Sequence, residues 1–250
     1  MEGELAYLLI GLAAFVAGAV NALAGGGTLI TFPILTAVGL SAVTANVTNA
    51  VALCPGYFGG TWAQRKDLRG QGARLKLLLP LGVAGGLLGA WLLLLSGEKL
   101  FRALVPWLIL LASLLLALQE PMKKFIGRWR QEGDHRAAAA LPLTLGAVYG
   151  GYFGAGLGVV MLATLGLTLD DNLNRLNALK QALSFVINVA AALFFLGSGH
   201  VHWPTAGVMA VCALVGGVAG GKLAGRIAPA RLRQVVVAVG ISVGLFYLSR

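Results

Sequence analysis

The sequence predicts an all-α polytopic membrane protein made of two inverted repeats, each a broken, re-entrant helix pair followed by three spanning helices. Composition is the first reason. Of 250 residues, 58% are apolar or aromatic and only 11% are charged, whereas a soluble domain carries about 25% charged residues. Burying that much apolar surface in water would need a far larger chain, while a bilayer takes it up at about 20 residues per crossing. The second reason is a series of apolar runs interrupted by two glycine clusters. The third is the placement of the cations. A net charge of +10 would suggest nucleic-acid binding in a soluble chain. In an apolar chain it sorts loops by side, so the expected partners are the lipid bilayer and a small anion, with no nucleic acid.

Apolar runs lie at 5–24, 28–38, 42–60, 75–95, 101–118, 138–155, 158–169, 176–197, 204–225 and 232–248. Eight are long enough to cross alone, and 28–38 and 158–169 are short. Each short run follows a glycine break, AGGG at 24–27 and GGYFGAGLG at 150–158. Broken helices at membrane depth persist only where the freed backbone faces protein or a watery cavity. The polar stretch 119–136, QEPMKKFIGRWRQEGDHR, reads as a cytoplasmic linker between a first repeat, 1–118, and a second, 137–250. GGLLGA at 85–90 matches GGVAGG at 216–221 with an offset of 131, which also pairs Arg102 with Arg233 and Val105 with Val236. The breaks at 25–27 and 154–156 match with an offset of 129, and a small insertion near Asp170 and Asp171 reconciles the two. That order of elements is expected of a duplicated transporter.

Charge decides between topologies. Eight plain crossings divide the loop cations 11 against 7, whereas letting 138–169 enter and return puts 15 on one side and 3 on the other. The positive-inside rule favours the second. Applied to both halves, it gives five membrane-penetrating segments per repeat, an odd number, so the repeats are inverted and both termini fall outside the cytoplasm. Glu2 and Glu4 stand where a signal peptide would be basic, although Ala22-Leu23-Ala24 imitates a cleavage site. Cys54 and Cys212 lie in apolar runs and read as packing residues. His135, His200 and His202 fall in polar connections and make no convincing metal set. No cofactor is indicated.

Half-helix N-termini offer amides and a positive dipole end to an anion. The candidates are Gly26, Gly27 and Thr28 at one break, and Gly156, Leu157 and Gly158 at the other. The same glycines also allow close helix packing. Asn177, Lys180, Gln181, Ser184 and Asn188 fall along one helix face. Lys180 is an intramembrane cation, a candidate for function that can alternatively snorkel to the interface. Thr44, Asn46, Thr48 and Asn49 line the helix at 42–60, with an offset of 132 setting Thr48 against Lys180. Polar glue between helices is the competing role. All nine carboxylates lie in termini, loops or span ends, which favours an anionic substrate over a cation. No HExxH, GxSxG or phosphate loop is present, so an enzyme is not expected.

The run AGGGTLITFPILTAVGLSAVTANVTNAVALCPGYFGG, 24–60, followed by a basic loop, resembles the first signature of the TauE/SafE family of membrane permeases. GGYFGAGLGVVMLATLGL (150–167), NALKQALSFVINVAAALFF (177–195) and GGVAGGKLAGRIAPARLR (216–233) resemble its second half. The resemblance covers nearly the whole chain. It implies secondary transport of sulfite, sulfoacetate or other organosulfonates, with some members carrying other small organic anions. Gly25 to Thr28, Ala45 to Asn49 and Asn177 to Lys180 match the family's patterned regions, but Ala178 and Leu179 replace the small residue and Thr that often precede the lysine. The expected activity is alternating-access export of a small sulfur-containing anion across a bacterial-type inner membrane. An anion channel, a carboxylate carrier and a non-transporting scaffold are the alternatives. GxxxG ridges at Gly82 and Gly86, and at Gly217 and Gly221, can pack internally or face a second copy in a homodimer.

Overall fold

The computed structural model describes residues 3–23, 25–128, 136–223 and 229–249. These form α1 (Gly3–Leu23), α2 (Thr28–Ala37), α3 (Ala42–Ala63), α4 (Gly72–Arg128), α5 (Arg136–Tyr152), α6 (Leu157–Thr168), α7 (Leu173–Leu196), α8 (Trp203–Leu223) and α9 (Pro229–Leu248), with a 3₁₀ turn at Arg65–Leu68. Among the described residues no strand occurs. α4 is broken at Gly97, whose φ of 65° and ψ of 178° leave the helical region. Its arms, 72–96 and 98–128, correspond to two of the apolar runs. The second arm extends to Arg128, ten residues into the stretch expected to be a linker. Gln119 is buried there and Glu120 pairs with Arg233 at 2.8 Å, so tertiary contacts keep the polar end helical. The rest of the linker, 129–135, lies outside the described residues.

Gly3–Leu23, Gly72–Met122, Leu173–Leu196 and Trp203–Leu223 are long and apolar enough to cross a membrane. Leu8, Leu12, Trp91, Trp107, Val211 and Val235 are exposed on the outside of the bundle, an apolar surface suited to lipid. Inside, glycines let backbones touch. A methyl group at Gly216 would strike the Phe15 carbonyl, and one at Gly220 the Ala19 carbonyl. These contacts advance together along both helices, so α1 and α8 are parallel. Gly85 meets Thr144 and Gly89 meets Val148 in the same way, so the first arm of α4 is parallel to α5. Gly56 faces Ala213 and Gly221 faces Ala63, which makes α3 parallel to α8 as well.

Because α1 and α3 start at one face, the α1–α2 pair enters from that face and returns to it. α5 and α7 likewise both run with the first arm of α4, Gly82 facing Ile187 and Gly86, one turn on, facing Ile187 and Ala190, so the α5–α6 pair enters from the opposite face. The described cations Arg65, Lys66, Arg69, Arg74, Lys76, Arg175, Lys222 and Arg233 lie towards the face of the turn 64–71. Lys99 and Arg102 lie towards the other. Gly217 rests on Gly56 and Gly86 on Ile187, so both glycine ridges are filled within the chain.

The basic face is tied together by ion pairs. Arg74 reaches Asp171 at 2.5 Å and the Asp170 carbonyl at 3.0 Å, and Arg175 reaches Asp171 at 2.8 Å and the Arg69 carbonyl at 2.9 Å. Burial works to raise the Asp171 pKa, but hydrogen bonds from Arg175, Arg74 and the Asn172 amide outweigh it and hold the group below the usual carboxylate range. On the opposite face Glu98, just past the Gly97 break, accepts from the amides of Ala42 and Val43 at 2.7 and 2.8 Å. A carboxylate there satisfies two free amides of α3 and complements its dipole.

Candidate functional site

The two breaks meet. Gly25, at φ 75°, lies so close to Gly158 that an added Cβ would come within 2.9 Å of the Gly158 Cα. No larger side chain fits between the two backbones, so glycine at both positions has a steric cause. Beside this contact runs α7, and the Lys180 Cδ lies 3.6 Å from where a Gly158 Cβ would stand. Lys180 is 0% exposed, which excludes a side chain reaching to the interface. A buried ammonium is costly unless compensated.

Gln181 and Ser184 share this interior. Gln181 lies against Gly60 of α3, with its Nε2 2.5 Å from the place of an added Cβ, and Ala22 of α1 borders the same spot. Both amide atoms of Gln181 and the hydroxyl of Ser184 are buried without a hydrogen-bond partner among the described residues. Leaving such groups unmade costs about 1–3 kcal/mol each, which a bound acceptor and donor would recover.

The first break is chemically different. Asn21 Oδ1 accepts from the amides of Gly26 and Gly27 at 3.1 and 2.7 Å. The expectation that these two amides face an anion is therefore corrected, since the chain's own side chain already occupies them. Thr28 accepts from Asn49 Nδ2 at 3.2 Å, and Thr31 donates to Asn49 Oδ1 at 2.5 Å. Asn49 thus pins α3 to α2. At the second break Gly154 and Gly156 both have positive φ, and the Tyr149 hydroxyl donates to the Ala155 carbonyl at 2.5 Å.

Three further candidates lie away from the cluster. Asn46 donates to the Tyr152 carbonyl at 3.0 Å, and Thr48 accepts from the His202 amide at 2.9 Å, towards the face opposite the basic one. Asn177 donates to Gln64 Oε1 at 2.6 Å towards the basic face. The contact register also moves the expected partner of Lys180. Gly56 packs on Gly217 as Ile187 packs on Gly86, an offset of 131, which carries Asn49 and not Thr48 onto Lys180.

Sequence reasoning missed Asn21 and Gln64. Asn21 is a polar side chain in an apolar, small-residue stretch one turn from the first break, a signal as strong as the one that singled out Asn49, whereas Gln64 caps α3 directly before Arg65 and Lys66 and reads in sequence as part of the basic loop. The structure brings Gly25, Gly158 and Lys180 together, and Gln181 and Ser184 are buried on the same face of α7, Gln181 against Gly60 and Ala22.

Known proteins agree in kind. The pattern of one family, described as Sulfite exporter TauE/SafE, matches residues 10–247. The chain is 28% identical over 254 residues to the probable membrane transporter protein YfcA of Escherichia coli (strain K12), covering 97% of this chain and 91% of that one. It is 29% identical over 254 residues to the probable membrane transporter protein ORF9 of Sinorhizobium sp, covering 98% and 92%. A probable membrane transporter protein of Haemophilus influenzae is 28% identical over 226 residues, covering 89% and 87%. No solved structure matches the chain. With its apolar spans and its match to this family over residues 10–247, the chain is a multi-pass membrane transporter and not an enzyme, and it belongs to the TauE/SafE sulfite exporter family.

Proposed function

We propose that the chain exports a small sulfur-containing anion, sulfite or an organosulfonate such as sulfoacetate, by alternating access across a bacterial-type inner membrane. One observation carries this reading: Gln181 and Ser184 are buried without hydrogen-bond partners among the described residues on the same helix face as buried Lys180, where the two breaks touch. A sulfite or sulfonate accepts several hydrogen bonds at once, which suits an ammonium, an amide and a hydroxyl without a cage of arginines. Lys180 supplies the charge, Gln181 and Ser184 supply donors, and Gly158 leaves room for backbone approach.

In this reading the halves 1–118 and 137–250 are inverted repeats. Support comes from the matched pairs of backbone contacts, Phe15 with Gly216 against Thr144 with Gly85, and Ala19 with Gly220 against Val148 with Gly89. The basic face is cytoplasmic and both termini lie on the other side, which follows the cation distribution. Uptake by proteoliposomes tests the reading. Saturable sulfite or sulfoacetate flux that exchanges with substrate on the far side is expected. Unitary currents, or no flux of any of these anions, would contradict it.

A further inference from the structure

At the basic face lies an open cavity of about 630 Å³ lined by Gln64, Arg65, Lys66, Asn174, Asn177 and Lys222, with Asp67 the single carboxylate at its wall. Three cations against one carboxylate make its field attractive to anions, and a concave wall focuses that field. Its inner end is closed by the hydrogen bond from Asn177 to Gln64, 2.6 Å long, with Gln64 only 7% exposed. One helical turn further in on each helix, Gly60 follows Gln64 and Gln181 follows Asn177, and these two are in contact. The hydrogen-bonded amides of Gln64 and Asn177, with Gln64 also donating to the Ala22 carbonyl at 3.5 Å, therefore lie one turn outside the Gln181 amide, which has no hydrogen-bond partner among the described residues.

The other end is closed differently. Phe32, Phe101, Tyr152 and Phe153 interlock near the Gly97 break, with centroids 5.5 Å apart for Phe32 and Phe153 and 5.7 Å for Phe101 and Tyr152. The Tyr152 hydroxyl donates to Ser96 at 3.1 Å, and Asn46 holds the Tyr152 carbonyl. Opening that end means separating four packed rings and several polar contacts. Opening the basic end means breaking only polar side-chain contacts: the bond from Asn177 to Gln64, that from Gln64 to the Ala22 carbonyl at 3.5 Å, and the neighbouring pairs of Arg74 and Arg175 with Asp171.

From this asymmetry we infer that Gln64 and Asn177 are the gate on the basic face, and that Arg65, Lys66 and Lys222 form an anion-gathering vestibule in front of it. Asn177 is thus a gating residue and not a ligand of the buried anion. The inference rests on the proposed anion pathway but adds its entrance, its gate and the end at which it opens first.

Thiol labelling tests it without measuring transport. The background is Cys54→Ala with Cys212→Ala, carrying Ser184→Cys, reconstituted so that each face is reached separately by a sulfonated or a trimethylammonium methanethiosulfonate reagent. Slow labelling from the basic face is expected, faster for the anionic reagent by about tenfold once each rate is divided by that reagent's rate with a free thiol, the low end of what focused fields produce. Gln64→Ala should raise the rate from that face by about tenfold, the factor that corresponds to one lost hydrogen bond, and leave the rate from the other face unchanged. Asn177→Ala removes the same bond from its other partner and should give the same increase. Neutralising Arg65, Lys66 and Lys222 to Gln should abolish the preference for the anionic reagent. The inference is overturned if the rates ignore both gate substitutions, rise equally from both faces, or keep their charge preference after neutralisation. A chain that shows the expected rates yet carries no sulfur-containing anion would retain the gate and lose the proposed substrate.

Discussion

The two halves of the molecule use the same backbone contacts and different chemistry. Gly216 and Gly220 receive the carbonyls of Phe15 and Ala19 just as Gly85 and Gly89 receive those of Thr144 and Val148. In the first half the polar groups are spent on the fold: Asn21 fills the amides of Gly26 and Gly27, and Asn49 joins Thr28 to Thr31. With the offset of 131 that the backbone contacts share, Lys180 stands where the first half has Asn49, and Gln181 and Ser184 beside it have no hydrogen-bond partner among the described residues. In the proposed reading the two halves share a scaffold and the second keeps its polar groups for the anion.

If the scaffold is shared, its two halves should fail alike. Gly216→Leu and Gly85→Leu each drive a side chain into a facing carbonyl, and each should lower stability by about 3 kcal/mol or prevent folding. Gly207→Ala, with open space around it, should leave the thermal midpoint in detergent unchanged or slightly raised. Tolerance of leucine at one glycine alone would break the equivalence.

Function should instead divide the halves. Lys180→Asn gives the second half the residue of the first, and anion flux should fall about a hundredfold, equivalent to ~3 kcal/mol of charge-assisted hydrogen bonding. Asn49→Ala should cost ~1–2 kcal/mol of stability while the remaining folded protein still carries anion. Asn21→Ala strands two buried amide donors and should cost about 2 kcal/mol, without weakening anion binding. A loss of binding from Asn21→Ala would move the site to the first break.

The ion pairs on the basic face have the smallest expected effect. Asp171 sits below the usual carboxylate range in the folded protein, so its contribution is complete above the unfolded pKa and is lost as pH falls through the folded one. Asp171→Asn keeps a hydrogen-bond acceptor for Arg74 and Arg175 and removes the charge, and should lower stability at pH 7 by about 1 kcal/mol. The difference from the unsubstituted chain should vanish in acid, as thermal melts across pH would record.

Much of the fold was legible in the sequence. Apolar run length gave the helices, and the glycine clusters marked both breaks, because backbone freed at membrane depth leaves few other residues acceptable. The helical continuation to Arg128 was not legible, since the pairing of Glu120 with Arg233 spans distant segments. Lys180 stood out as a cation in an apolar run. Whether Gly26 and Gly27 were free depended on where the Asn21 side chain turned, and composition cannot encode that direction. The same limit hid the bond between Gln64 and Asn177, which joins helices far apart in sequence.

The most direct measurement is the thermal stabilisation of the purified protein by sulfite, sulfoacetate, taurine, thiosulfate and simple carboxylates, repeated on Gln181→Ala with Ser184→Ala. A ligand that binds only the folded state stabilises it by RT ln(1 + L/Kd), with L the free ligand concentration, so the midpoint keeps rising with the logarithm of that concentration. The account predicts that a sulfur-containing anion stabilises the native chain and that the double substitution removes this shift while preserving the unliganded midpoint. An undiminished shift in the double variant would place the anion elsewhere and contradict the site.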